Sequence, residues 1–185
     1  MKSNRTMIIS LLIMVVVAAL YRIIPGRPYG FAPQIAMALF GGIAIKDRKW
    51  SFVLPLLSML ISDAIYQLLY LQDLTPIKGF YGGQWINYLE IASVVFIGFL
   101  IKRLNLLNFL AASVAAPTWF FIISNFSVWA GSDGTYLPKT AEGLASAYIL
   151  GLPFYGASVL STLVFGAIFI YAYNRVEQRE LAKAF

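Results

Sequence analysis

The feature that most constrains this chain is its succession of apolar runs of membrane-spanning length, each broken by a short polar or basic segment. A helix rises 1.5 Å per residue, so roughly 20 apolar residues cross a hydrocarbon core of about 30 Å. Six runs meet or approach that length: residues 7–24, 31–45, 51–71, 86–101, 106–130 and 154–173. They predict an all-α integral membrane protein, with six transmembrane helices forming one compact bundle and residues 1–185 as a single domain. Composition agrees, because 60% of the residues are hydrophobic and only 12% are charged, an apolar share that a soluble domain of this size cannot hide.

The first run follows Lys2 and Arg5, as the core of a signal peptide would, with Ala18-Ala19 as a weak cleavage site. It continues through Leu20 and Ile24, longer than such a core, and so reads as the first helix. The second run barely suffices to cross. Its small residues Ala32, Ala36, Ala38, Gly41 and Gly42 suit close helix packing within the protein, with a docking face for another subunit as the alternative. Between residues 131 and 153 lies the longest connection: a polar stretch, then a short apolar helix over about 140–152. That helix is too short to span and is expected at the interface or as a lid over the outer mouth. The tail, 174–185, reads as a charged helical extension carrying Arg175, Glu177, Arg179, Glu180 and Lys183.

Orientation follows from the basic residues. With the N-terminus in the cytoplasm, Lys2, Arg5, Lys46, Arg48, Lys49, Lys102, Arg103, Arg175, Arg179 and Lys183 fall inside, and only Arg22, Arg27, Lys78 and Lys139 fall outside. Six spans with both termini inside are expected, in the bacterial cytoplasmic (inner) membrane as a multi-pass protein. The longer loops and any recognition surface then face outward.

There is no cysteine and no histidine, which excludes thiolate nucleophiles, disulfides, Cys/His metal sites and imidazole catalysis. No G-x-S-x-G, H-E-x-x-H, phosphate-binding glycine loop or nucleotide fingerprint occurs. The chain is therefore not expected to be an enzyme, to hold a metal or to carry a cofactor. Its net charge of +6 sits in small clusters at the ends of apolar runs, a topology signal rather than a nucleic-acid surface.

An ionised side chain at the bilayer centre costs on the order of 3 kcal/mol, so intramembrane acids are site candidates by default. Asp63 lies in the third run, with Ser58, Ser62, Tyr66 and Tyr70 at four-residue steps and Gln67 one turn on, a polar stripe on one helical face. It contacts a ligand or ion, or belongs to a structural network, protonated or paired with Asn125. Glu90, with Asn87 three residues earlier, is either an interfacial carboxylate paired with a Lys or Arg, or a ligand contact. Thr118, Asn125 and Trp129 share a face of the fifth run. Most aromatics at the outer edge fit a headgroup belt. Tyr81, Trp85 and Trp129 flank the long outer loops, where they could stack on an apolar or planar ligand while Lys139 neutralises an acidic group.

The stretch 31–42, leading into Lys46-Asp47-Arg48, and then 55–63, together with Ser124-Asn125-Phe126-Ser127-Val128-Trp129, 136–140 and Gly143-Leu144, resembles an uncharacterised family of small six-span bacterial membrane proteins. That resemblance covers most of the chain and implies a fold without an activity. In size and layout the chain is also similar to the S components of energy-coupling factor vitamin transporters and to their solitary relative, the bacterial vitamin B12 transporter. Two departures stand out. The Ala-xxx-Ala docking motif usual on the first helix is replaced by Ser10, Met14 and Ala18, and the cobalt-ligating cysteine of the B12 relative is absent.

The function these readings imply is a membrane-embedded substrate-binding and transport protein, capturing a small vitamin-like solute from the outer side, a corrinoid among the candidates. Asp63, Tyr66, Gln67, Tyr81, Trp85, Glu90, Asn125, Trp129 and Lys139 would line its site. Partners would be the lipid bilayer, the solute and an energising or other membrane subunit, with no nucleic acid. The alternative is a non-catalytic structural or accessory subunit of a membrane complex.

Overall fold

A computed structural model describes residues 5–182, and all regular structure among them is helical. The six helices are α1 (Arg5–Arg22), α2 (Gln34–Ala44), α3 (Arg48–Leu71), α4 (Gln84–Phe99), α5 (Leu106–Gly131) and α6 (Ala141–Ala182). Lys2 and Lys183 of the charge count lie outside the described residues. Polar loop residues start α3, α5 and α6 by accepting orphan N–H groups. Asp47 accepts from Lys49 N at 3.0 Å, Asn105 from Asn108 N at 2.8 Å, and Thr140 Oγ1 from Gly143 N at 3.2 Å.

Four helices, α1, α3, α5 and residues 141–179 of α6, are long and apolar enough to cross a membrane. With 11 and 16 residues, α2 and α4 are shorter. Outward-turned apolar side chains are consistent with a lipid surround: α1 alone exposes Ile9, Leu12, Ile13, Val16, Val17 and Leu20.

The short helix α2 is the hub of the bundle. Every residue from Gln34 to Gly41 is buried, and α2 touches each of the other five helices. One face packs Ala36, Met37 and Phe40 against Met14, Val15 and Ala18 of α1, Leu54 of α3, and Phe165 and Phe169 of α6. The other packs Ile35, Ala38 and Leu39 against Met59 of α3, Ile91, Val94 and Val95 of α4, and Ala112 and Ala116 of α5. Its small residues are thus spent inside the chain. A Cβ on Gly98 of α4 would lie 2.6 Å from Leu39 O and 2.7 Å from Gly42 Cα, so the two backbones meet directly.

The separate short helix expected over 140–152 does not exist as such. It is the first part of α6, which continues through Pro153 for 42 residues, about 63 Å. A proline inside a helix removes one hydrogen bond and crowds the carbonyl four residues back, which is why the sequence reads as a break there. Packing on α5 holds both sides of Pro153 in line. Tyr148 and Tyr155 flank Phe121 with ring centroids 5.6 and 5.3 Å away, and Tyr148 OH donates to Ile122 O at 3.0 Å. The connection that could form a lid shrinks to residues 132–140. The charged tail is helical as expected, as far as Ala182.

Candidate functional site

Asp63 is 2% exposed and lies eight residues before the end of α3. Both of its carboxylate oxygens are engaged. Oδ1 accepts from Arg22 Nη1, which also donates to Ser62 Oγ at 2.6 Å. Oδ2 accepts from Gln84 Nε2 and from Tyr88 OH, each at 2.6 Å. Arg22 is the last residue of α1, and its own carbonyl accepts from Tyr66 OH at 2.9 Å and Arg27 Nε at 2.8 Å. Three helices are therefore tied at one point: α1 brings the cation, α3 the anion, and the first turns of α4 two neutral donors. Charge-assisted bonds of this kind are the stronger class.

The loop between α3 and α4 is folded onto the same point. Gln67 Oε1 accepts from Phe80 N at 3.1 Å, and Gln84 Nε2 also reaches Gly79 O at 2.8 Å. A side chain at Gly79 has no room, since a Cβ would lie within 2.7 Å of Gln67 Cβ and closer still to the Asp63 carbonyl.

Asp63 does not meet Asn125, and the expected pairing is corrected on that point. Asn125 donates to Phe121 O at 2.7 Å within α5, and its carboxamide rests on Gly151 of α6. Nor do Trp129 and Lys139 face Asp63. Trp129 Nε1 donates to Pro138 O at 2.9 Å, and Lys139 Nζ donates to the carbonyls of Trp129 and Ala130 while lying 5.4 Å from the Trp129 ring centre. Lys139 thus caps the C-terminal end of α5, where the helix dipole favours a cation. Tyr81 accepts from Asn87 Nδ2 at the surface, and Trp85 is 65% exposed. The expected Lys or Arg beside Glu90 is not there either: Glu90 is 6% exposed and neither carboxylate oxygen has a hydrogen-bond partner.

Of the nine expected site residues, then, Asp63 and Tyr66 share one network with Gln67 at its edge, and Trp129 and Lys139 share another. Asn125 borders a cavity. This cavity, about 190 Å³, lies between α5 and α6 and is lined by Pro117, Phe120, Phe121, Ser124, Asn125, Gly151, Phe154, Tyr155 and Ser158. Four of these nine residues are aromatic, and the walls carry three hydroxyls and one carboxamide, an apolar lining with a few polar groups of the kind that ligand sites favour. Tyr155 OH is 2.8 Å from Thr118 Oγ1, and Ser158 Oγ donates to Gly30 O at 3.1 Å. Among the described residues no group of three or more His, Cys, Asp or Glu could hold a metal ion.

Sequence reasoning missed Arg22, Gln84 and Tyr88 around Asp63, and Ser124, Tyr155 and Ser158 around the cavity. One signal was available: a lone cation at the end of one apolar run and a lone anion within another are natural partners.

These observations define an all-α protein with four membrane-length apolar helices, closed at one end by a buried charged network. The chain belongs to the family described as "Family of unknown function (DUF6580)", whose profile matches residues 2–184. No curated protein and no solved structure matches it.

Proposed function

We propose that this is a solute-binding, S-component-like transport protein of the bacterial cytoplasmic membrane, and that its site is the cavity between α5 and α6. The observation carrying this reading is the cavity itself: a half-open gap of about 190 Å³ between α5 and α6, with four aromatic side chains and a few polar groups in its walls. An engineered apolar cavity of about 150 Å³ holds benzene, so the volume suits a compact single-ring solute. The Asp63 network serves in this reading as the clasp of the bundle, with every oxygen of the carboxylate already taken by protein donors.

The helix directions support six crossings with both termini inside. Parallel packing recurs between alternate helices. Val15 shares a cluster with Leu54, and Arg22 pairs with Asp63 further along both α1 and α3. Likewise Ala32 O accepts from Ser161 Oγ, while Phe40 packs on Phe169 further along α2 and α6. A cysteine replacing the exposed Tyr136 is expected to react with a membrane-impermeant thiol reagent in intact spheroplasts, and one replacing Leu104 is not. The reverse pattern would overturn the orientation.

The binding reading is tested by filling the cavity. Mass spectrometry of small molecules released from gently purified protein is expected to find a compact compound in the wild type. The same compound should be lost from Ser124→Phe at an unchanged melting temperature. Retention of the compound by a folded Ser124→Phe variant would place the site elsewhere. Wild-type protein that carries nothing would favour the accessory-subunit reading.

A further inference from the structure

The chain buries two acids in its bundle and treats them in opposite ways. Asp63 receives a guanidinium, a carboxamide and a phenol. Glu90, six residues further along α4 than Gln84, receives no cation, and both of its oxygens are enclosed without a hydrogen bond of normal geometry. The polar group facing it is the hydroxyl of Ser127 on α5.

No charge can reach Glu90 from the helices packed against α4, which are α2, α3 and α5. Neither α2 nor α5 contains a titratable residue. On α3, Asp63 is held by Arg22, Tyr66 donates to Arg22 O, and Tyr70 faces Lys78. Arg48, with Lys49 beside it in the first turn of α3, lies at the far end of α4, 4.8 Å from the Phe99 ring centre. That ring is nine residues, about 14 Å, along the helix from Glu90. On α4 itself the only other titratable group is Tyr88, whose hydroxyl is bonded to Asp63.

An ionised carboxylate with no counter-ion, faced by a single hydroxyl, does not persist in apolar surroundings; it takes up a proton and becomes neutral. Among the described residues the other buried side-chain oxygens without a partner, Gln34 Oε1 on α2 and Ser113 Oγ on α5, belong to neutral groups, so Glu90 is the one acid among them.

We propose that Glu90 is a proton-binding site inside the bundle, neutral while the seam between α4 and α5 is closed and able to release its proton only when that seam opens to water. If the chain moves a solute, as proposed above, this is the group through which a proton gradient can act on it. The site itself does not depend on that reading, and its test uses no solute.

The experiment is modification of the full chain in lipid nanodiscs with dicyclohexylcarbodiimide, a lipid-soluble reagent that adds to protonated carboxyl groups, followed by peptide mass spectrometry. One adduct is expected at Glu90, forming more slowly as pH rises. It should be unchanged when sodium replaces potassium, missing from Glu90→Gln, and not found at the ion-paired Asp63. Protection by sodium would overturn the proposal in favour of a metal-cation site, and an adduct at Asp63 instead of Glu90 would overturn it outright. If no adduct forms, the infrared spectrum decides. The carbonyl band of a protonated acid, present in wild type and absent from Glu90→Gln, upholds the site, and its absence from wild type rejects it. Because glutamine has the shape of a neutral glutamic acid, Glu90→Gln should melt with the wild type.

Discussion

Asp63→Ala is expected to cost the bundle about 3–5 kcal/mol, the range seen when one partner of a buried ion pair is removed. The alanine leaves the Arg22 guanidinium without its counter-ion where the side chain is only 23% exposed. It also strands the Tyr88 hydroxyl and leaves Gln84 Nε2 with Gly79 O as its acceptor, each having bonded an Asp63 oxygen at 2.6 Å, and a buried donor without an acceptor carries its own penalty. Removing both charges should be milder. In Arg22→Met/Asp63→Leu the desolvation of two ions disappears together with their attraction, and such replacements are often neutral or better. The check is a double-mutant cycle by thermal unfolding in mild detergent, followed by circular dichroism. A loss below about 1 kcal/mol for Asp63→Ala would show a pair that behaves as a solvated surface bridge. A double variant as unstable as the single one would show that Gln84 and Tyr88, rather than the charges, hold the joint. In either case the α5–α6 cavity is untouched, so solute release from a folded Asp63→Asn variant separates clasp from binding site.

What could be read from the sequence divides along physical lines. The long helices were legible because their signals are local. The fifth run begins after Asn105, whose side chain caps Asn108 N, and stays apolar to Gly131. Helix α2 was legible as an apolar run but not in its extent, because Pro33 sets its start and a helix buried on all sides has the same composition as one facing lipid. Pro153 reads as a terminator, and only tertiary packing against Phe121, remote in sequence, keeps α6 continuous. Asp63 and Glu90 both stood out as acids in apolar runs. Nothing local distinguishes them, since their opposite fates depend on whether Arg22, 41 residues away, reaches one of them. The cavity was illegible altogether: its hydroxyls, Ser124, Tyr155 and Ser158, are ordinary helix residues until α5 and α6 are laid side by side.

Gly42→Ala is expected to cost about 1–3 kcal/mol, the usual penalty for overpacking a filled core, and Gly42→Leu to prevent accumulation of folded protein. A Cβ at Gly42 would stand 2.8 Å from Gly98 Cα and nearer still to Val95 O, both backbone atoms of α4 that no rotamer change can move. The helices would have to separate. Because α2 also contacts α1, α3, α5 and α6, that separation would strain both halves of the core at once. Gly156 provides the control of opposite sign. It lies inside α6 with nothing within 4 Å of the position a Cβ would take, so Gly156→Ala should gain roughly 0.5–1 kcal/mol through helix propensity alone. Both variants are read by the same thermal unfolding, with amounts of folded protein taken from size-exclusion profiles. Equal behaviour of the two glycines would mean that α2 and α4 do not touch backbone to backbone, and the hub role of α2 would fall with that contact.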